Sequence, residues 1–279
     1  MKIKIITDSS RDIMELEGAD FQSVPLTIST DEKEFIDDES LDVTAMTEYM
    51  CSYKGVSRTA CPSVGAWLDA FEGADIIYVA TLTGGLSGTY NSAMAAREVF
   101  LQSNPDVKIA VFDTLSAGPE IRIVTEKIVE FVKEGKDYDT VCAEVKEYMT
   151  KTRLFFSLES LHNLAQNGRV NKLVASAVGV LGIRIFGTAS DEGKLAPISK
   201  CRNEKKVIST MIENMLKAGY KGGKCYLAHV NNLEFAEKIK NAVKEHFGTK
   251  DINFKVYLTR GLCGYYAERG GVLIGCECV

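Results

Sequence analysis

Three short segments of this 279-residue chain hold side chains that could do chemistry. The first is Thr83-Gly84-Gly85-Leu86-Ser87-Gly88-Thr89-Tyr90-Asn91-Ser92-Ala93, which follows an apolar run and opens a helical one. Small residues there let backbone approach a ligand closely, and the free N–H groups of a helix start favour an anion. The Ser87 hydroxyl suits donation to a ligand carboxylate, but a plain serine N-cap after a glycine turn explains the same residues. In the second segment, Arg58-Thr59-Ala60-Cys61-Pro62-Ser63, Thr59 can reach an oxyanion or act as a cap. The third, Thr7-Asp8-Ser9-Ser10, puts hydroxyls at the carboxyl end of the first strand, where α/β sheets usually bind ligands. Asp8 equally suits accepting N–H groups of its own loop.

Sharper catalytic readings fail on spacing. A nucleophile elbow needs G-x-S-x-G, and Gly85-Leu86-Ser87-Gly88-Thr89 misses by one position. The first strand does not end in a dinucleotide loop, and Gly219 to Lys224 falls one residue short of a phosphate loop. With three scattered histidines (162, 229 and 246) and eight cysteines in no CxxC pair, no pattern calls for a metal or a cofactor. The thiols read as reduced, small hydrophobes of a core. An acyl or phosphate ester hydrolase using Ser87 or Asp8 would have to bring its base from distant sequence. A sugar-phosphate or other small-anion regulator could use the same loops.

The elements that must position these segments alternate between short apolar and longer amphipathic runs, an α/β pattern. Strands are expected at Ile3–Ile6, Ser23–Ile28, Asp75–Ala80 and Val107–Phe112. Helices are expected near Val43–Tyr53, from Pro62 to Phe71 with proline in the first turn, and over Ser87–Leu101. Helices at Ile121–Lys133 and Asp137–Thr150 close the first half. A strand at Leu154–Ser157 then leads to a helix stopped by Asn167-Gly168, and a helix covers Lys172–Val180. A hairpin turning at Asp-Glu-Gly joins Ile183–Thr188 to Leu195–Lys200. Helix 203–218, strand 224–230, helix 232–247, strand 252–258 and a glycine-rich strand finish the chain. The length suits two α/β domains in contact, 1–155 and 156–279, with the boundary near 152 to 160. A net charge of −5 with interspersed signs argues against nucleic acid. MKIKIITDSS reads as a strand, not a signal peptide, and the apolar run ending at Ile183 is about half a membrane span. A cytoplasmic protein without an integral membrane segment is expected.

The order of motifs resembles the DegV family: TDSS at the start, Val24-Pro25-Leu26, the TxxPS of Thr59 to Ser63, and LSGTYNSA from Leu86 to Ala93. Asn167-Gly168-Arg169-Val170 is similar to the family's GGR-I/V turn, and Arg202 and Ala228-His229 also match. The resemblance covers essentially the whole chain. It implies a two-domain α/β fold, each domain a sheet flanked by helices, that holds a long-chain fatty acid without catalysis. By that resemblance Thr59 and Ser87 hold the carboxylate, backbone around Gly88 completes the anion site, and Ser9 and Tyr266 border it. Some members present the acid to a fatty acid kinase subunit, which would set Arg169 and Arg202 near that partner or the transferring phosphate; surface or interdomain ion pairs account for both arginines equally. About 15 methylenes at roughly 0.8 kcal/mol each offer ~12 kcal/mol of gross transfer energy, so the carboxylate contacts chiefly orient the ligand. Leu26, Ile28, Phe155, Phe156, Leu158, Leu161, Val178 and Ile183 are candidate tunnel residues. The family's H-x-G-P-G is absent: Tyr266 stands at the histidine and Glu268-Arg269-Gly270 at Gly-Pro-Gly. A different ligand or a different coupling to a kinase is therefore expected.

Overall fold

The computed structural model describes residues 1–171, 183–248 and 252–278. Strand β1 (Ile3–Asp8) is buried from Lys4 onward, because it lies inside a parallel four-stranded sheet ordered β2-β1-β6-β7. The partners are β2 (Asp20–Val24), β6 (Ile76–Thr81) and β7 (Lys108–Asp113). Side chains alternate through this sheet. Ile6, Ile77 and Val79 face Trp67, Phe71 and Phe100, whereas Ile5 and Tyr78 face Ile121, Val124, Ile128 and Val141. Burial on both faces explains why β1 and β6 read as continuous apolar runs.

The expected strand Ser23–Ile28 is in fact two. Val24-Pro25-Leu26 ends β2 and starts β3 (Thr27–Ser29), which belongs to a separate antiparallel sheet ordered β4-β3-β5. Proline cannot donate to a ladder, so a strand breaks there readily. β4 (Glu34–Ile36), helix α1 (Val43–Ser52) and β5 (Arg58–Ala60) follow, and Thr59 sits opposite Ile28. Two helix starts also differ from expectation. Helix α2 (Val64–Phe71) begins after Ser63, whose side chain accepts from Ala66 N–H, so Pro62 lies outside its first turn. Helix α3 (Thr89–Ser103) begins after Gly88, leaving Ser87 in the loop.

Helices α4 (Pro119–Lys133) and α5 (Tyr138–Met149) lead into a six-stranded sheet ordered β10-β9-β8-β13-β11-β12. It starts with β8 (Thr152–Leu158), which helix α6 (His162–Gln166) follows. The hairpin β9 (Arg184–Ala189) and β10 (Leu195–Cys201) forms as expected. Helix α7 (Glu204–Lys217), β11 (Gly223–His229), helix α8 (Leu233–Phe247) and β12 (Ile252–Leu258) follow. The expected helix at Lys172–Val180 lies outside the described residues. Helix α9 (Gly261–Ala267), which the sequence reading passed over, precedes β13 (Val272–Glu277). Phe155, Val207, Met211, Phe235 and Ile239 pack on one face of this sheet, and Leu154, Phe156, Leu158 and Leu273 look out from the other. Gly275 lets α4 lie directly on that second face: a Cβ there would stand 2.6 Å from Glu120 N. Among the described residues no helix is long and apolar enough to cross a membrane.

Candidate functional site

The inner face of the six-stranded sheet and the loops at the carboxyl ends of β2, β6 and β7 leave a cavity between them. Leu154, Phe156, Leu158 and Leu273 form its floor, Leu26, Leu82 and Leu115 its opposite wall, and Leu262, Cys263 and Ala267 of α9 one side. The empty space, open solvent included, is about 800 Å³, but only about 90 Å³ admits the centre of a water molecule. The cavity is therefore a narrow passage, not a chamber. Of the other candidate tunnel residues, Phe155 faces the helices on the far side of its sheet, a consequence of strand alternation. Ile28 packs with Met46 and Tyr265, and Leu161 lines a neighbouring groove beside Arg169. Val178 lies outside the described residues.

Thr59, Ser87, Arg169 and Tyr266 all reach this passage. The Thr59 and Tyr266 hydroxyls share a hydrogen bond of 2.7 Å. Arg169 Nε donates to the Leu86 carbonyl at 3.2 Å, one residue before Ser87, and its Nη1 donates to the Asn167 carbonyl. Burial pushes the Tyr266 phenol above its usual range, against the opposing pull of the Thr59 hydrogen bond and the Arg169 charge. A cation and three hydroxyls thus converge on an otherwise aliphatic passage. The remaining polar wall residues have their polar atoms committed elsewhere. Thr83 Oγ1 donates to Gly193 O at 3.0 Å, Ser116 Oγ to the Glu120 carboxylate, and Lys194 Nζ to Glu192 at 2.8 Å.

Two of the four are placed by local turns and Tyr266 by a distant contact. Arg169 is aimed by the helix stop the sequence announced: Gly168 takes φ +73°, its N–H donates to Ala165 O, and Arg169 N–H donates to Leu164 O. That pair of bonds is a Schellman motif, and it sends the next side chain back across the helix end. Ser87 sits in a turn closed by its own N–H on Thr83 O, and its Oγ accepts from Thr89 N–H at 3.3 Å. Glycine is required at 85, because a Cβ would stand 2.4 Å from Glu192 O at the hairpin tip. Tyr266 depends on the short helix α9, whose first N–H groups, Gly261 and Leu262, both donate to Asp37 at 2.8 Å.

Other expected site residues lie elsewhere. Ser9 Oγ accepts from Leu26 N–H at 3.1 Å and does not line the passage. Gly88 caps α3 and would bring a Cβ to 3.3 Å from Cys61 Sγ; it too stands behind the wall. Arg202 is exposed between β10 and α7, away from the passage. Asp8 is buried and accepts from Leu82 N–H, Ser10 N–H and the Ser10 hydroxyl. The Ser87 hydroxyl pairs with that of Thr89. Of the eight cysteines, Cys51 and Cys61 are exposed, Cys142 is partly buried and five are buried, so the expectation of core thiols holds for those five. Among the described residues no group of ligands suits a metal ion.

Sequence reasoning missed Leu115, which takes φ +53° at the mouth, and the hairpin residues Lys194 and Leu195. Leu115 is held by its N–H on Asp113 Oδ1, which also accepts from Gly84 N–H. A pH effect follows from Asp8. Burial lifts its carboxyl from 3.8 to about 6, so the folded chain binds that proton more tightly than the unfolded one. Stability from this group is greatest at low pH and is lost as pH rises through about 6. Relative to Asp8→Asn, the native chain should lose roughly 2 kcal/mol between pH 4 and 6.5. Paired denaturant titrations across that range check it, and a flat difference would refute it.

Known proteins share this fold. A sequence profile described as "Uncharacterised protein, DegV family" matches residues 2–270. A DegV domain-containing protein of Streptococcus gordonii is 41% identical over 281 residues, covering 99% of both chains. A DegV family protein from Eubacterium eligens, solved loaded with heptadecanoic acid, superposes with a TM-score of 0.96 at 50% identity, over 99% of this chain and 100% of that one. The Streptococcus pneumoniae Fatty Acid Kinase (Fak) B3 protein, solved loaded with linoleic acid, also gives 0.96, at 40% identity over 100% of both chains. The motifs that bring Thr59, Ser87 and Arg169 to one passage therefore lie within a likeness that runs nearly end to end, and this chain belongs to the DegV family.

Proposed function

We propose that this protein binds a long-chain fatty acid, with the carboxylate at Thr59, Ser87, Arg169 and Tyr266 and the tail along the leucine-lined passage. The observation that carries the reading is the placement of one cation and three hydroxyls on a narrow aliphatic passage whose other polar groups are already paired. An ionised head needs such partners once water is excluded, and the tail gains roughly 0.8 kcal/mol for each methylene buried. A small anion would leave most of the leucine wall unused. Residues 1–155 contribute the hydroxyl loops and Leu154 of the floor, while 156–279 supply Arg169, Tyr266 and the rest of the floor. The relatives solved with heptadecanoic and linoleic acids support the same ligand class. A cytoplasmic place of action is part of this reading, and eight cysteines without a disulfide fit a reducing compartment.

The role is one of holding, not of catalysis. Ser87 Oγ pairs with Thr89 Oγ1 at 2.8 Å, and Asp8 is spent on its own loop. The likeness to the Fak B3 protein supports a second role, presentation of the bound carboxylate to a fatty acid kinase subunit. Native mass spectrometry followed by solvent extraction tests the ligand. One equivalent of a long-chain acid should copurify, and a Thr59→Ala/Ser87→Ala double variant should lose it. A protein that arrives empty and refuses added acids, yet takes up inorganic phosphate, would overturn the reading. Acyl-phosphate formation with the organism's own kinase tests the presentation role.

A further inference from the structure

Behind the carboxylate site lies a second tyrosine that does not touch the passage. Tyr265 is 2% exposed, and its ring packs with Ile28 and Met46. Its hydroxyl shares a 2.6 Å hydrogen bond with Ser57 Oγ and accepts from Asn167 Nδ2 at 2.8 Å. The Tyr265 carbonyl in turn accepts from Asn163 Nδ2 at 2.8 Å. Gln166 Oε1 closes the ring of contacts by accepting from Ser57 N–H at 3.1 Å and pairing with its hydroxyl at 2.9 Å. All of these groups are buried or half-buried, and Ser57, Asn163 and Tyr265 form part of the wall of a second pocket on the side away from the passage.

The three elements joined here are the ones that carry the proposed ligand contacts. Ser57 and Thr59 are two residues apart in extended chain and therefore share a face; Ser57 meets Tyr265 as Thr59 meets Tyr266. Asn167 is the helix stop that precedes Arg169. Tyr265 is the helical neighbour of Tyr266. We propose that the Tyr265 hydroxyl is a positioning group, fixing Thr59, Arg169 and Tyr266 in register so that they meet one carboxylate. The inference rests on the fatty-acid reading and deepens it. Its effect is confined to the head of the ligand, since Tyr265 is not part of the passage wall.

Tyr265→Phe keeps the ring and removes the node. Affinities for a C16 acid and for the C16 alcohol, measured side by side by displacement of a fluorescent acid, separate positioning from simple loosening. The acid should bind about tenfold more weakly, the value of a lost buried hydrogen bond, while the alcohol changes less than twofold. Ser57→Ala should show the same selectivity and add little to Tyr265→Phe in the double variant. It also keeps the question open to test should Tyr265→Phe fold poorly. Equal losses for acid and alcohol, or no loss for either, would overturn the inference while leaving the ligand assignment intact. A native protein that binds neither compound would overturn both.

Discussion

Arg169→Ala should weaken binding of a long-chain fatty acid by about a hundredfold, the largest effect expected from any single head-group substitution. The guanidinium is half-buried and fixed by two backbone carbonyls, those of Leu86 and Asn167. Removing it would leave a carboxylate beside neutral hydroxyls, since the other cation of the wall, Lys194, is paired with Glu192. Truncating one partner of a buried, hydrogen-bonded charge pair costs about 2–5 kcal/mol, most of it the penalty on the charge left behind. Thr59→Ala removes a hydroxyl donor to the carboxylate, worth about 1.5 kcal/mol, and should weaken binding about tenfold. Arg169→Lys should recover part of the loss, since a point charge remains but the fork is gone. Calorimetric displacement titrations on the three variants give the ranking. If Arg169→Ala binds like the native protein, the carboxylate lies elsewhere.

This ranking reverses the weight that the sequence supports. The hydroxyl motifs stand out there because glycine and serine cluster after a strand, a local signal. Arg169 is visible only as the residue after a glycine stop, and nothing local says which way it points. The answer lies in Leu86 O, 83 residues away, which the Schellman turn brings within reach. Ser9 illustrates the converse. Its position after β1 suits a ligand, yet its hydroxyl accepts the Leu26 N–H that the break at Pro25 leaves without a ladder.

Element boundaries show the same division between local and distant causes. The parallel strands and the amphipathic helices α4, α7 and α8 were legible because periodicity and burial agree in them. Helix α9 was not. Its seven residues, Gly-Leu-Cys-Gly-Tyr-Tyr-Ala, include two glycines and show no polar face, since six of the seven are buried. What makes them helical is the Asp37 carboxylate, which takes the first two N–H groups from 224 and 225 positions away. Asp37 is itself buried, and burial raises its pKa. The helix that brings Tyr266 to Thr59 is thus specified by tertiary contact, which the local pattern does not carry.

The wall of the passage offers the second large effect. Ala117 lines it in a loop, half-buried, beside Leu26, Leu82 and Leu262. Ala117→Leu would add three carbons to the wall and exclude about three methylenes of ligand. At roughly 0.8 kcal/mol per methylene, acids long enough to pass this point should bind on the order of fifty-fold more weakly. Octanoic acid, if it stops short of Ala117, should bind both proteins alike. The empty variant should melt close to the native protein, because Ala117 lines the passage and the new side chain can extend into it. Across a series from C8 to C18, the length at which the two affinities diverge locates Ala117 along the chain. An equal loss at every length would mean that the head site had moved. Equal affinity at every length would mean that the tail does not run past Ala117, and that the leucine-lined passage is not its path.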